Sequence, residues 1–189
     1  MNGKIHNILM VGVGGQGIIL ASDILTRAAM TAGFDAKKSE IHGMSQRGGS
    51  VFSHIRFGEK VYSPTISHGE ADIIFSLEKM ETLRWIPFAN YKTFIVCANK
   101  EILPTTVDTY PDGIREELEN LSSNINFFDT DKLIEKIGNV KFLNVAMLGM
   151  MSGKIVFSEE VWQQAIQNEV PEGTFEENWK AFTAGRGII

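Results

Sequence analysis

Short apolar runs alternate with longer amphipathic stretches along most of this chain. Ile5 to Val11 is short and rich in apolar residues, which predicts a strand in the middle of a parallel sheet. Gly12-Val13-Gly14-Gly15-Gln16-Gly17 follows. Ile18 to Ala32 then sets Ile19, Leu20, Ile24 and Leu25 near one face, which predicts a helix stopped by Gly33. Phe34 to Ser39 predicts a second strand, and Glu40 to Ser50 a polar loop holding Gly43, Gly48 and Gly49. Val51 to Phe57 and Lys60 to Ser63 flank Gly58-Glu59, a two-residue hairpin signal, and Pro64 ends the pattern.

Further on, Ile73 to Ser76, Lys92 to Ala98 and Ile125 to Phe128 predict strands. Glu78 to Phe88, Asp112 to Leu121 and Asp129 to Ile137 predict the helices between them. From Asn144 onward the pattern is helical only: Val145 to Met151, Ser158 to Asn168 and Thr174 to Ala184. The sum is an α/β fold: a Rossmann-like open sheet, mainly parallel, with an inserted antiparallel hairpin and a helical C-terminal region. No repeat or composition shift marks a boundary, so residues 1–189 read as a single domain.

Composition narrows the function. The chain has 189 residues, 43% hydrophobic and 22% charged, which suits one good core and argues against disorder or a coiled coil. A net charge of -5 gives no general reason to expect nucleic acid as a partner. No apolar run is long enough to span a bilayer, and Met1 to His6 lacks the marks of a signal peptide, so the cytoplasm is the simplest reading. The single cysteine, Cys97, sits in an apolar run and reads as a buried small hydrophobe. An iron–sulfur cluster usually needs four thiolates, so this chain alone holds none. His6, His42, His54 and His68 show no zinc-type pairing.

Gly12, Gly14 and Gly17 fit the G-x-G-x-x-G pattern between a strand and a helix. Glycines there allow a tight turn and close approach of another group, and the free N–H groups of a helix start suit an anion. A nicotinamide site usually adds an acid about 20 residues later, at the end of the second strand. This chain has Lys37 and Lys38 there, with Glu40 past the expected strand end. The lysines count against NAD and leave NADP open, and pure helix–strand packing also accounts for the glycines.

Glu40-Ile41-His42-Gly43-Met44-Ser45-Gln46-Arg47-Gly48-Gly49-Ser50 is dense in polar types and glycine, and Arg47 suits a bidentate grip on phosphate or carboxylate. The glycine turn followed by this loop resembles the γ-type subunit of 2-oxoacid:ferredoxin oxidoreductases, most of all the small (β) subunit of the indolepyruvate enzymes. The resemblance continues through Ser63-Pro64, Gly69-Glu70-Ala71-Asp72, Glu78 and Asn144 to Gly149, and ends at Phe175 to Phe182 with Gly185 after it.

That resemblance implies a subunit, inactive alone, of an enzyme that decarboxylates an aryl 2-oxoacid to its acyl-CoA and passes electrons to ferredoxin. It implies thiamine diphosphate, magnesium and iron–sulfur clusters on a large partner subunit, with coenzyme A at the interface. No Gly-Asp-Gly…Asn-Asn thiamine signature occurs in this chain. The alternatives are a stand-alone NAD(P)-binding oxidoreductase and a nucleotide-binding or assembly module with no enzymatic role.

The candidate binding face is therefore Gly12, Gly14, Gly15, Gln16 and Gly17 with Ser45, Gln46, Arg47 and Gly48, directed at coenzyme A, another anion or the partner. No catalytic or metal-ligating residue is assigned. His42 reads as a structural hydrogen-bonder before an acid or base, and Glu78 as a helix cap before a catalyst. Asn144 reads as the cap of the helix that follows it, with ligand contact second. Trp179 with Phe182 reads as helix packing, and Met147, Met150 and Met151 as core.

Overall fold

The computed structural model describes residues 3–42, 49–103 and 108–188. Six strands form one sheet: β1 (His6–Val13), β2 (Asp35–His42), β3 (Ser50–Gly58), β4 (Ile73–Ser76), β5 (Phe94–Ala98) and β6 (Ile125–Phe128). Their order is β2-β3-β1-β4-β5-β6. The β1–β4, β4–β5 and β5–β6 pairs are parallel, and β3 is antiparallel to both β1 and β2. The helices are α1 (Ile18–Thr31), α2 (Lys79–Trp85), α3 (Ile114–Leu121), α4 (Thr130–Ile137), α5 (Leu143–Ser152), α6 (Glu159–Glu169) and α7 (Phe175–Arg186).

The apolar run of β1 lies at the centre of the sheet, where both faces are covered. Ile8 and Met10 pack with α1 and the C-terminal helices, while Leu9 and Val11 pack on the opposite side with Ile66, Ile74 and Ile95. Full burial of each such side chain contributes about 1.5–3 kcal/mol. The first face is the thicker one. All of α5 is buried, consistent with its nearly unbroken apolar sequence. Its Met147, Met150 and Met151 lie in the core, as their spacing predicts.

Close backbone contact lets α5 and α7 pack so tightly. A Cβ built on Gly149 would meet the Phe182 carbonyl oxygen, and one built on Gly185 the Ala146 carbonyl oxygen. Trp179 and Phe182 stack on α7 with centroids 5.4 Å apart, the packing role their spacing predicts.

The antiparallel hairpin is present, but its strands are β2 and β3. The Gly58-Glu59 turn joins no strand pair, because residues 60–63 form no strand. Both edges of β3 are already occupied, by β1 through Val13↔Ser50 to His6↔Phe57 and by β2 through His42↔Val51 to Asp35↔Gly58. The segment after Gly58 is held by side chains instead. Asp35 accepts from Val61 N at 2.9 Å, and Arg56 donates to the carbonyls of Ser63 and Thr65 at 3.0 and 3.2 Å. The second strand also runs longer than its pattern predicts, so Glu40 and the His42 backbone belong to β2.

Candidate functional site

The turn between β1 and α1 stands at the carboxyl end of the parallel strands, where open α/β sheets bind ligands. Gly15 and Gly17 hold φ of +94° and +78°, so each needs glycine. Gly17 is the residue before α1, no side chain caps this end, and no acid lies in the first turn. The first bond of α1 runs from Ala21 N to the Gly17 carbonyl at 3.1 Å, so the amides before it have no helical partner. Such an end suits an anion.

The other residues of the turn have structural partners. Gly12 has no room for a Cβ, which would lie 2.8 Å from Gln16 Oε1 and 2.9 Å from Ile18 Cδ1. Gln16 acts as a clamp: its Oε1 accepts from Val13 N at 2.7 Å and its Nε2 donates to the Leu77 carbonyl at 2.6 Å. That clamp ties the turn to the end of β4. Gly14 N donates to the Gly49 carbonyl at 2.8 Å, so the turn lies beside the end of the second loop. Ser45, Gln46, Arg47 and Gly48 lie outside the described residues.

A cavity of about 540 Å³ opens over the turn, lined by Gly15, Gln16, Gly17, Leu77, Lys100, Glu101, Lys141 and Asn144 among others. Lys100 follows the carboxyl end of β5 and pairs with Asp131 at 2.9 Å. Glu101 pairs with Lys79 at 2.5 Å. Lys141 has no ion pair among the described residues, leaving a cation at the cavity wall. The strand-end rule points to Lys100 from sequence alone. Nothing local pointed to Lys141, which sits more than 120 positions from the turn it faces.

Asn144 does not cap α5. A 3₁₀ turn at Val140–Phe142 starts the helical run earlier, and Asn139 caps that turn by accepting from Lys141 N at 3.0 Å. Asn144 therefore lies inside α5, 3% exposed, and its Nδ2 donates to the Gly17 carbonyl at 3.0 Å. Its Oδ1 is buried with no partner among the described residues.

Glu78 does cap α2, accepting from Glu81 N at 2.8 Å. Its other oxygen accepts from the Tyr110 hydroxyl at 2.5 Å and from Ile102 N at 3.3 Å. Burial pushes the carboxyl above its ordinary range, and these three hydrogen bonds oppose the shift. Cys97 is buried, as its apolar run predicts, and contacts Thr82 Oγ1 at 3.1 Å. Burial pushes its thiol up to about 12. One neutral thiol does not fit an iron–sulfur cluster. Among the described residues no group of three or more His, Cys, Asp or Glu could hold a metal ion.

The dinucleotide reading fails on topology. With β3 inserted, β2 lies two strand spacings, about 10 Å, from the strand that carries the turn. Lys38 pairs with Asp23 at 2.5 Å and Glu40 at 2.7 Å, and Lys37 with Asp35 at 3.3 Å. Those lysines are engaged within the chain, away from the turn.

Comparison with known proteins agrees with this geometry. Residues 7–188 match the family model described as pyruvate ferredoxin/flavodoxin oxidoreductase. The indolepyruvate oxidoreductase subunit IorB of Thermococcus kodakarensis is 38% identical over 191 aligned positions, covering 96% of this chain and 95% of that one. The γ subunit of a keto/oxoacid ferredoxin oxidoreductase from Geobacter sulfurreducens superposes with a TM-score of 0.73 at 23% identity, covering 96% of this chain and 94% of that one. The 2-oxoglutarate:ferredoxin oxidoreductase of Magnetococcus marinus, solved with 2-oxoglutarate, coenzyme A and succinyl-CoA bound, gives 0.74 at 19% identity over 97% of this chain and 31% of that one. A match from Asn7 to Ile188, spanning the glycine turn, the inserted β3 and the C-terminal helices, places the chain in the pyruvate ferredoxin/flavodoxin oxidoreductase family.

Proposed function

We propose that this chain is the small subunit of an indolepyruvate, or other aryl 2-oxoacid, ferredoxin oxidoreductase, and that residues 1–189 act as one γ-type domain of a cytoplasmic complex. The observation that carries this reading is the 38% identity to an indolepyruvate oxidoreductase subunit over 96% of the chain. The large partner supplies thiamine diphosphate, magnesium and iron–sulfur clusters, which decarboxylate the 2-oxoacid and carry its electrons to ferredoxin. This chain holds and shields the acyl acceptor, coenzyme A, against that partner.

The residues around the glycine turn suit part of such a ligand. Amides without a helical partner at the start of α1 and the Lys141 ammonium suit a phosphate group. Asn144 lines the same cavity and holds the Gly17 carbonyl, so it fixes the start of α1 against the ligand. Ser45, Gln46, Arg47 and Gly48 complete the face in this reading, since the Gly14–Gly49 bond sets the end of their loop beside the turn.

Reconstitution tests the proposal. The chain expressed alone should be colourless and inactive. Co-expressed with the candidate large subunit it should give a brown complex that reduces ferredoxin with an aryl 2-oxoacid and coenzyme A. In that complex Lys141→Ala should raise the KM for coenzyme A several-fold. Turnover with a nicotinamide dinucleotide by the isolated chain would overturn the reading.

A further inference from the structure

Three consecutive residues after β4 tie the cavity together. The Leu77 carbonyl takes the Gln16 amide and so fixes the glycine turn, which is the cavity floor. The next residue, Glu78, fixes the facing wall. Its Oε1 accepts from Ile102 N at 3.3 Å and from the Tyr110 hydroxyl at 2.5 Å. Lys79 adds its own backbone bond to the Lys100 carbonyl at 3.1 Å and its ammonium to Glu101 at 2.5 Å. Floor and wall therefore meet in three consecutive residues.

A cap alone does not account for Glu78. A serine would satisfy the Glu81 amide equally well without burying a carboxylate, which is costly unless its oxygens are paired. Serine would not reach Ile102 or Tyr110. Glu78 is 1% exposed, does not line the cavity, and shares its second oxygen between Ile102, which does, and Tyr110. Tyr110 is held in turn by Met80 N, which donates to its hydroxyl at 3.0 Å.

We propose that Glu78 is a positioning residue for ligand binding: through Ile102, with the Tyr110 hydroxyl fixing its carboxylate, it holds the Lys100–Ile102 wall opposite Gly15–Gly17 and Asn144, so ligand affinity depends on a side chain that does not touch the ligand. This rests on the reading of the cavity as a coenzyme A site. It predicts a signature specific to that ligand. Loss of the bonds to Ile102 and Tyr110 should weaken coenzyme A without changing the 2-oxoacid's own site.

The test uses the reconstituted complex and three small-subunit variants. Glu78→Ser keeps the cap and drops the contact to the wall; Tyr110→Phe removes the hydroxyl that fixes the carboxylate and leaves Glu78 in place. The KM for coenzyme A should rise roughly tenfold in Glu78→Ser, the size of one lost hydrogen bond to a charged group, and less in Tyr110→Phe. The KM for the 2-oxoacid and kcat at saturating coenzyme A should not change. Lys141→Ala separates the two levels of the argument. If Lys141→Ala raises the KM for coenzyme A and both wall variants leave it unchanged, the positioning role is overturned and the site stands. If none of the three changes it, both fall. If Glu78→Ser does not assemble, Tyr110→Phe alone decides, with an unchanged KM for coenzyme A overturning the role.

Discussion

The Asn144 side-chain amide donates to the Gly17 carbonyl at 3.0 Å, joining residues 127 positions apart in the chain. Gly17 has φ +78°, and a Cβ there would collide with the Asn144 amide. One glycine thus answers two demands, a left-handed backbone and the approach of a buried amide from α5. The bond connects the glycine turn to the C-terminal helices and sets the back wall of the cavity.

Gly17→Ala should therefore destabilise the chain on two counts. The backbone term is about 1–2 kcal/mol and overpacking adds about 1–3 kcal/mol. Asn144→Ala should cost less and should relieve the collision. In urea unfolding the double variant should be more stable than the sum of the two single effects predicts, by about 1 kcal/mol or more. Additive single effects would show that the amide does not press on the turn.

Elements bounded by clear punctuation were legible in the sequence. Ile73–Ser76 and Ile125–Phe128 have the predicted limits, and Gly33 at φ +88° follows α1 as a stop should. Glu78 and Ser158 cap the helices they precede, because capping depends on residues only three positions away. Pairing was less legible. Gly58-Glu59 carries a hairpin signal, yet β3 had already filled both edges, a fact that depends on β1 more than 40 residues away. Asn144 failed as a cap for a similar reason. Its neighbours Val140–Phe142 start the turn early, and its true partner, Gly17, is near the other end of the chain. Half of the candidate face was visible as a glycine turn. Lys141 and Asn144 reach it only through the packing of α5.

The α5–α7 contact gives a sharper stability test. Gly149 and Gly185 lie at the crossing with carbonyl oxygens where their Cβ atoms would be. Backbone cannot rotate aside as a side chain can, so Gly149→Ala and Gly185→Ala should each cost about 3 kcal/mol or more, at the upper end of overpacking. Gly173→Ala is the comparison, since a Cβ there meets nothing and only its φ of +79° is strained. Its cost should be about 1–2 kcal/mol. Similar urea midpoints for all three would contradict the packing argument.

Cys97 should be chemically silent in the folded chain. Its thiol is buried and pushed up to about 12, so at pH 8 the thiolate fraction is on the order of one in ten thousand. Iodoacetamide at pH 8 should label it only as fast as the protein unfolds, and denaturant should bring the rate to that of an exposed thiol. Rapid labelling under native conditions would show an opening of the β5 region that this packing does not allow.

His54 makes the stability of the β3 face depend on pH. Its ring lies among Phe52, Trp85 and Phe88, and its Nδ1 accepts from Ile66 N at 3.2 Å. Burial lowers its pKa below the ordinary imidazole value of about 6.5, so the unfolded chain is protonated first as pH falls. Between the two pKa values the unfolded state binds more protons, so this contribution is full above about pH 6.5 and is lost as pH falls through the folded value. His6 is also shifted down by burial, so the comparison must be with His54→Phe. That variant removes the titration and leaves Ile66 N without its acceptor, which lowers stability at every pH. The stability advantage of the native chain over His54→Phe should therefore shrink between pH 7.5 and pH 5, read from urea unfolding at each pH. A difference that stays constant over that range would mean that the folded chain protonates His54 as readily as the unfolded one.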